Sequence, residues 1–279
     1  MAKVCELLKH SDQLVTISDS PLLDCELLLC YVLDVDRTWL RTWPEKKVSQ
    51  TLENSFLALL EQRIQGHPIA YLVGSSGFWS MDLQVSNDTL IPRPETELLV
   101  ELALNLELTH NSKALDLGTG TGAIALALAS ERPDMDFIAV DSQIGAVNLA
   151  NKNCQKLGLN NLEIIQSDWF GSLPLQANQF DLIVSNPPYI PSNDVHLQQG
   201  DVRYEPNTAL VSGIDGLDDL KKIITKSPFY LKPNGWLLLE HGFDQAPAVN
   251  NLMLEAGYKK VVTHKDYNQM DRVTLGRWE

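Results

Sequence analysis

Asp116-Leu117-Gly118-Thr119-Gly120-Thr121-Gly122 is the stretch on which the fold turns. The apolar run Lys113 to Leu117 leads into it, and the alanine-rich run Ala123 to Ser130 follows it. The pattern predicts a strand, a glycine turn and a helix. Glycines let the chain turn sharply and let a ligand approach the backbone. The dinucleotide fingerprint spaces its glycines as G-x-G-x-x-G. Here they alternate as G-x-G-x-G behind an aspartate, a tighter turn with less room for a pyrophosphate. It suits a compact nucleoside that carries an amino acid.

Downstream, Phe137 to Asp141, Leu162 to Ile165, Phe180 to Val184 and Trp236 to Glu240 are predicted strands. Helices are predicted from beyond Asp141 to Leu157, from about Asp218 to Lys226 and from about Ala246 to Ala256. Strands alternating with helices predict an α/β fold, a mostly parallel sheet with helices on both faces. Two last strands, Lys259 to His264 and Arg272 to Arg277, are joined by a short polar stretch, so one of them should run antiparallel. Ligands of such sheets bind beyond the carboxyl ends of the strands. Asp141 closes the second strand about 20 residues after the glycines, where an acid can accept from ribose hydroxyls. Asp168 follows the third strand, placed to accept from an adenine amino group, and Trp169 beside it offers a flat apolar face.

Ser185-Asn186-Pro187-Pro188-Tyr189 directly follows the fourth strand. Prolines have fixed φ and no N–H, so they hold the residues around them. The Asn186 side-chain oxygen and the Pro187 carbonyl are acceptors that together could take both hydrogens of one NH₂ group. Tyr189 supplies a ring for a planar substrate to stack on. An amide nitrogen is a poor nucleophile because its lone pair is delocalised. Two acceptors on its hydrogens return electron density to nitrogen and fix its approach to a sulfonium methyl, an orientation effect worth several kcal/mol. Glycine turn and clamp together predict methyl transfer from S-adenosylmethionine to a planar amide or aromatic amine.

Upstream, Ser20-Pro21 opens an apolar helix, Leu22 to Leu33, with proline at the first helical position. A second helix, about Ser49 to Ile64, places Leu52, Phe56, Leu59, Leu60 and Arg63 at helical spacing and ends before Gly66 and Pro68. From about Ile69 to Ile91, strand formers broken by glycines predict a β-hairpin linker that includes Tyr71, Leu72 and Val73. Ile91-Pro92-Arg93-Pro94-Glu95-Thr96-Glu97 then starts a helix with its acids in the first turn, where the helix dipole favours them.

The chain has 279 residues and a formal net charge of −14. That charge repels polyphosphate and argues against nucleic acid as the direct partner. Cys5, Cys25, Cys30 and Cys154 form no C-x-x-C pair and read as reduced thiols, with no metal expected. The opening MAKVCELLKH has no signal-peptide run, and no apolar stretch is long enough to span a membrane, so the expected place is the cytoplasm.

The chain resembles the peptide chain release factor N5-glutamine methyltransferase family (PrmC/HemK) throughout its length. The resemblance rests on Ile91 to Glu97, Asp116 to Gly122, Asn186 to Tyr189 and Asp201-Val202-Arg203-Tyr204-Glu205-Pro206. It implies a class I, Rossmann-like methyltransferase sheet over residues 93–279, a helical substrate-recognition domain over 1–70 and a hairpin linker over 71–92. It implies S-adenosylmethionine as cofactor, on Gly118, Thr119, Gly120, Thr121, Gly122, Asp141, Trp169 and Asn186. Asn186, Pro187, Pro188 and Tyr189 would face the substrate, with Asn186, Pro187 and Tyr189 serving catalysis. The substrate it implies is the glutamine of the Gly-Gly-Gln loop in bacterial class-I release factors. Arg93, Glu97, Arg203 and Glu205 read equally as site residues or as ion pairs that anchor loops. Asn-Pro-Pro-Tyr alone is shared with adenine-N6 nucleic-acid methyltransferases, which remain the rival reading, and a protein that only binds the cofactor is the non-enzymatic one.

Overall fold

Nine strands form among residues 1–173 and 179–279, the part of the chain that this computed structural model describes. They are β1 (Ser75–Phe78), β2 (Met81–Gln84), β3 (Lys113–Leu117), β4 (Asp136–Asp141), β5 (Leu162–Gln166), β6 (Phe180–Ser185), β7 (Leu231–Glu240), β8 (Lys259–Lys265) and β9 (Asp271–Arg277). Seven make one sheet in the order β5-β4-β3-β6-β7-β9-β8. The pairs β5-β4, β4-β3, β3-β6 and β6-β7 are parallel, and β9 runs antiparallel to both its neighbours. The chain first builds outward from β3 through β4 to β5, then returns to lay β6 on the other side of β3. That reversal opens a crevice beyond the carboxyl ends of β3 and β6.

Strand side chains alternate between faces, and the sheet's core is accordingly two layers. Ala114, Leu182, Val184 and Leu238 pack on one face with the helix Ala123–Glu131. Leu115, Leu117, Ile183, Leu237 and Leu239 pack on the other with the helices Asp218–Lys226 and Ala246–Glu255. Each fully buried leucine contributes about 1.5–3 kcal/mol, so this continuous apolar patterning is what holds the strand ends in register.

Residues 71–73, expected in the hairpin, lie instead in the short helix Ile69–Val73, which Gly74 ends in a left-handed conformation. Three apolar residues of strand-forming type carry no periodicity strong enough to resist a helix started by Pro68. The hairpin is β1-β2 with its turn at Trp79-Ser80, and Phe78, Met81 and Leu83 are buried in the first core layer. It is therefore an integral part of the sheet unit, which comprises Ser76–Asp194 and Glu205–Glu279.

The other compact unit comprises Met1–Ser75 together with Val195–Tyr204. Its helices include Pro21–Leu33, Arg37–Thr42 and Gln50–Ile64, around a core of Val4, Leu7, Leu28, Leu29, Phe56 and Leu60. Ser49 accepts from the Leu52 amide at 3.4 Å and Asp36 from the Trp39 amide at 2.7 Å, each capping a helix start. Ser20 occupies the expected N-cap but makes no capping bond; Pro21 alone marks that start. Arg63, a charge inside an apolar stripe, is buried and donates to Asp24 at 2.7 Å and to Asp201 at 2.8 Å. Arg203 and Tyr204 donate to the Gln65 carbonyl at 3.0 and 2.7 Å. Residues 195–204 thus lend this unit a segment that leaves and re-enters the sheet unit.

Candidate active site

The glycine turn is knitted to the end of β4. The amides of Gly118 and Thr119 both donate to the Val140 carbonyl at 2.9 Å, and Gly120 N donates to Asp141 Oδ2 at 2.9 Å. Gly118 has φ +72°, a left-handed conformation that favours glycine, and the Trp169 ring lies beside it, 3.4 Å from where a Cβ would stand. Gly122, at φ +87°, serves packing: a Cβ would come within 2.8 Å of Leu126 Cδ1. Thr119 Oγ1 donates to Asp116 Oδ2 at 2.6 Å. Asp116 is wholly buried, its Oδ1 has no hydrogen-bond partner, and burial pushes its carboxyl up to about 7.

A cavity of about 330 Å³ opens above the turn, at the small end of the range for ligand sites. Gly118, Thr119, Gly120, Thr121, Asp141, Asp168, Trp169, Asn186 and Pro188 line it; Gly122, Pro187 and Tyr189 do not. Asp141 Oδ1 accepts from Gln143 N at 2.9 Å, complementing the Gly120 bond on Oδ2. A carboxylate oxygen has room for two donors, so the Asp141 carboxylate keeps a place for a ribose hydroxyl. Burial raises the Asp141 pKa, opposed by the amides of Gln143, Gly120 and Ser142. Asp168 lies two residues past β5, with an exposed carboxylate that pairs with Lys222 at 3.1 Å. The same ammonium stands 5.9 Å from the Trp169 ring centroid. Acceptors at Asp141, an aromatic wall at Trp169 and the cavity-lining turn Gly118–Thr121 fit an adenosyl group carrying an amino acid.

The clamp enters from β6. Ser185 Oγ donates to the Leu117 carbonyl at 2.7 Å, tying β6 to β3 one residue before Asn186. Asn186 Nδ2 donates to Thr96 Oγ1 at 3.1 Å, and both residues line the cavity. Pro187 is buried. Tyr189 is half-buried; its ring packs on the second core layer and its hydroxyl donates to Glu240 Oε1 at 3.2 Å. Burial raises the phenol pKa above its usual range. Glu240, the last residue of β7, is itself buried, and burial pushes its carboxyl up to about 7.

Arg93 donates to Glu205 at 2.7 Å, and Glu205 also accepts from the Ile91 amide at 3.4 Å. Glu97 accepts from the Trp79 amide at 2.6 Å. Arg93 and Glu205 thus form an ion pair while Glu97 and Arg203 bond backbone groups, and Arg93 also lines the cavity. Thr96, Lys222 and Glu240 were not singled out from the sequence. Only Glu240 carried a signal, as an acid closing an otherwise apolar strand, the same signal that marked Asp141. His241 is buried, with its ring nitrogens bonded to the Gly242 carbonyl and Thr274 Oγ1 at 2.8 Å each, and burial lowers its pKa.

Comparison with known proteins bears on this site. The family described as "Methyltransferase domain" matches residues 108–273, and that described as "PrmC N-terminal domain" matches residues 6–74. The release factor glutamine methyltransferase of Aliivibrio fischeri is 53% identical over 275 residues, covering 98% of this chain and 96% of that protein. That of Pseudomonas aeruginosa is 50% identical over 280 residues, covering 100% and 99%. Among solved structures, a methyltransferase from Pyrococcus furiosus aligns with a TM-score of 0.54 at 16% identity, covering 78% of this chain and 96% of that one, a likeness of fold.

Proposed function

The chain belongs to the release factor glutamine methyltransferase family, and from that premise we propose that its target is the glutamine of the Gly-Gly-Gln loop of class-I release factors. It is an S-adenosylmethionine-dependent protein-glutamine methyltransferase. The cofactor, when bound, supplies an electrophilic methyl group on a sulfonium sulfur. Asp141 takes the ribose hydroxyls, Trp169 and Asp168 the base, and Gly118–Thr121 the amino-acid end. Asn186 Oδ1 and the Pro187 carbonyl accept the two hydrogens of the substrate amide, which localises the lone pair on nitrogen. No strong base is needed beforehand, because the proton leaves after nitrogen has gained the methyl.

The observation that carries this reading is the convergence of Asn186 and the Gly118–Thr121 turn on one cavity. We assign recognition of the release factor to the helical unit, whose exposed Tyr31 and Trp43 are the residue types that anchor interfaces. No helix among the described residues is long and apolar enough to cross a membrane, and we place the reaction in the cytoplasm with its substrate. Incubation with labelled cofactor and either intact release factor or duplex DNA tests the reading. One methyl group on the Gly-Gly-Gln glutamine, by mass spectrometry, is expected. Label on adenine with none on the release factor would favour the nucleic-acid rival.

A further inference from the structure

We propose that Thr96 and Glu240 are positioning residues that decide which end of the Asn186 carboxamide faces the substrate. The inference rests on the reading of Asn186 as the amide clamp and concerns what makes that clamp work. A primary carboxamide has an acceptor end and a donor end of nearly equal size, and only the acceptor end can take a hydrogen from a substrate amide. Rotated by half a turn, Asn186 would aim N–H at N–H.

The surrounding bonds resolve the choice. Glu240 is 1% exposed and Thr96 4%, so neither exchanges partners freely with water. Ionised, the Glu240 carboxylate can only accept. Tyr189 donates to its Oε1 at 3.2 Å, Oε2 has no donor in good geometry, and the adjacent Thr96 hydroxyl favours the charged form. A hydroxyl has one hydrogen. In the proposed relay Thr96 directs it to Glu240, so that Thr96 Oγ1 accepts from Asn186, and the 3.1 Å contact is indeed with Nδ2. The donor end of Asn186 is thereby held on Thr96, and Oδ1 is left for the substrate.

Protonation reverses the logic. A neutral Glu240 can donate to Thr96, which frees the Thr96 hydrogen for Asn186 Oδ1 and turns the NH₂ end toward the substrate. Burial pushes Glu240 up to about 7, opposed by the Thr96 hydroxyl, Arg272 from β9 and Tyr189 from the loop after β6, and aided by Glu95. Arg272 also donates to Asp266 at 3.2 Å, so its charge is shared between Asp266 and Glu240. Turnover should therefore fall as pH drops through about 7, with cofactor affinity changing little.

The test is the pH profile of kcat on intact release factor for the wild type, Thr96→Val, Thr96→Ser, Glu240→Gln and Asn186→Ala. Calorimetric titration of S-adenosylmethionine checks that each variant is folded. Thr96→Val keeps the shape but not the relay. Its kcat should fall about tenfold or more, the rate cost of losing ~1.4 kcal/mol of orientation, with the limb near pH 7 gone and cofactor Kd within about twofold. Thr96→Ser should restore both the rate and the limb. Glu240→Gln should lose the limb too, since it has no charge to titrate, and it serves as the test if Thr96→Val does not fold. Wild-type rate and profile in these variants, with Asn186→Ala inactive, would overturn the relay and leave the clamp standing. Full activity of Asn186→Ala would remove the clamp itself.

Discussion

In the helical unit Asp24 and Glu26 are as buried as Asp116 and Glu240 are in the sheet unit, with residue exposures of 6%, 5%, 3% and 1%. The first two meet arginines: Arg63 lies 2.7 Å from Asp24, and Arg37 and Arg41 flank Glu26. The second two meet hydroxyls, Thr119 and Tyr189, and each keeps one oxygen without a partner in good geometry. Burial pushes the carboxyls of Asp116 and Glu240 up to about 7, although Arg272 opposes the shift of Glu240. The contrast separates buried acids that meet arginines from buried acids that meet hydroxyls.

The sharpest break of this contrast is Arg63→Ala. It leaves Asp24 charged and buried without a partner, for which a loss of about 3–5 kcal/mol is typical. Urea denaturation of the cofactor-free protein measures it, and a loss below ~1 kcal/mol would show the pair to be incidental. Next comes Asn186→Ala, at the site rather than in the frame. Turnover should drop on the order of 10²–10³, the scale of removing one stabilising group from a preorganised site. The melting temperature should stay close to that of the wild type. If stability falls instead and saturated turnover does not, Asn186 belongs with the frame.

A smaller effect is expected from Asp141→Ala. A hydrogen bond to a charged group is worth about 1.5–3 kcal/mol, so cofactor affinity should weaken roughly 10- to 150-fold in calorimetry. The smallest is a slope. Asp116 titrates at about 7 when folded against an ordinary value of 3.8. Between those values the native chain holds a proton that the unfolded chain has lost. Its contribution makes stability decline as pH rises across that window and level off above it. Asp116→Asn should flatten that decline in melting temperature, leaving the part owed to Glu240, which has the same sign. A variant that keeps the whole wild-type slope would show that Asp116 does not titrate in that window.

Much of the sheet unit was legible because its signals are short-range. Leu115 and Leu117 against Ala114 announce a two-faced strand, and Gly118 to Gly122 announce the turn wherever they occur. Asp141 was legible because a carboxylate that closes a parallel strand has one crevice to face. The pull of Trp169 toward Gly118 follows from the same end of the sheet. The partner of Asp168 was not legible, because Lys222 comes from a helix on the other side of the topological reversal. Residues 71–73 were misread because strand-forming residue type was allowed to outweigh the helix start that Pro68 provides.

The amino-acid sequence by itself determined the parallel sheet, the glycine turn, the Asn-Pro-Pro-Tyr motif and the family, since each is written in neighbouring residues and in periodicities of two and 3.6. Only the tertiary structure decided that Asn186 meets Thr96 and that Tyr189 meets Glu240, and that residues 195–204 complete the helical unit. Asn186 and Thr96 are 90 residues apart in the chain, and Arg63 and Asp201 are 138 apart. Contacts at such separation depend on strand order and on which buried donor finds which acceptor. Those are properties of the packed core as a whole, and no local stretch of residues encodes them.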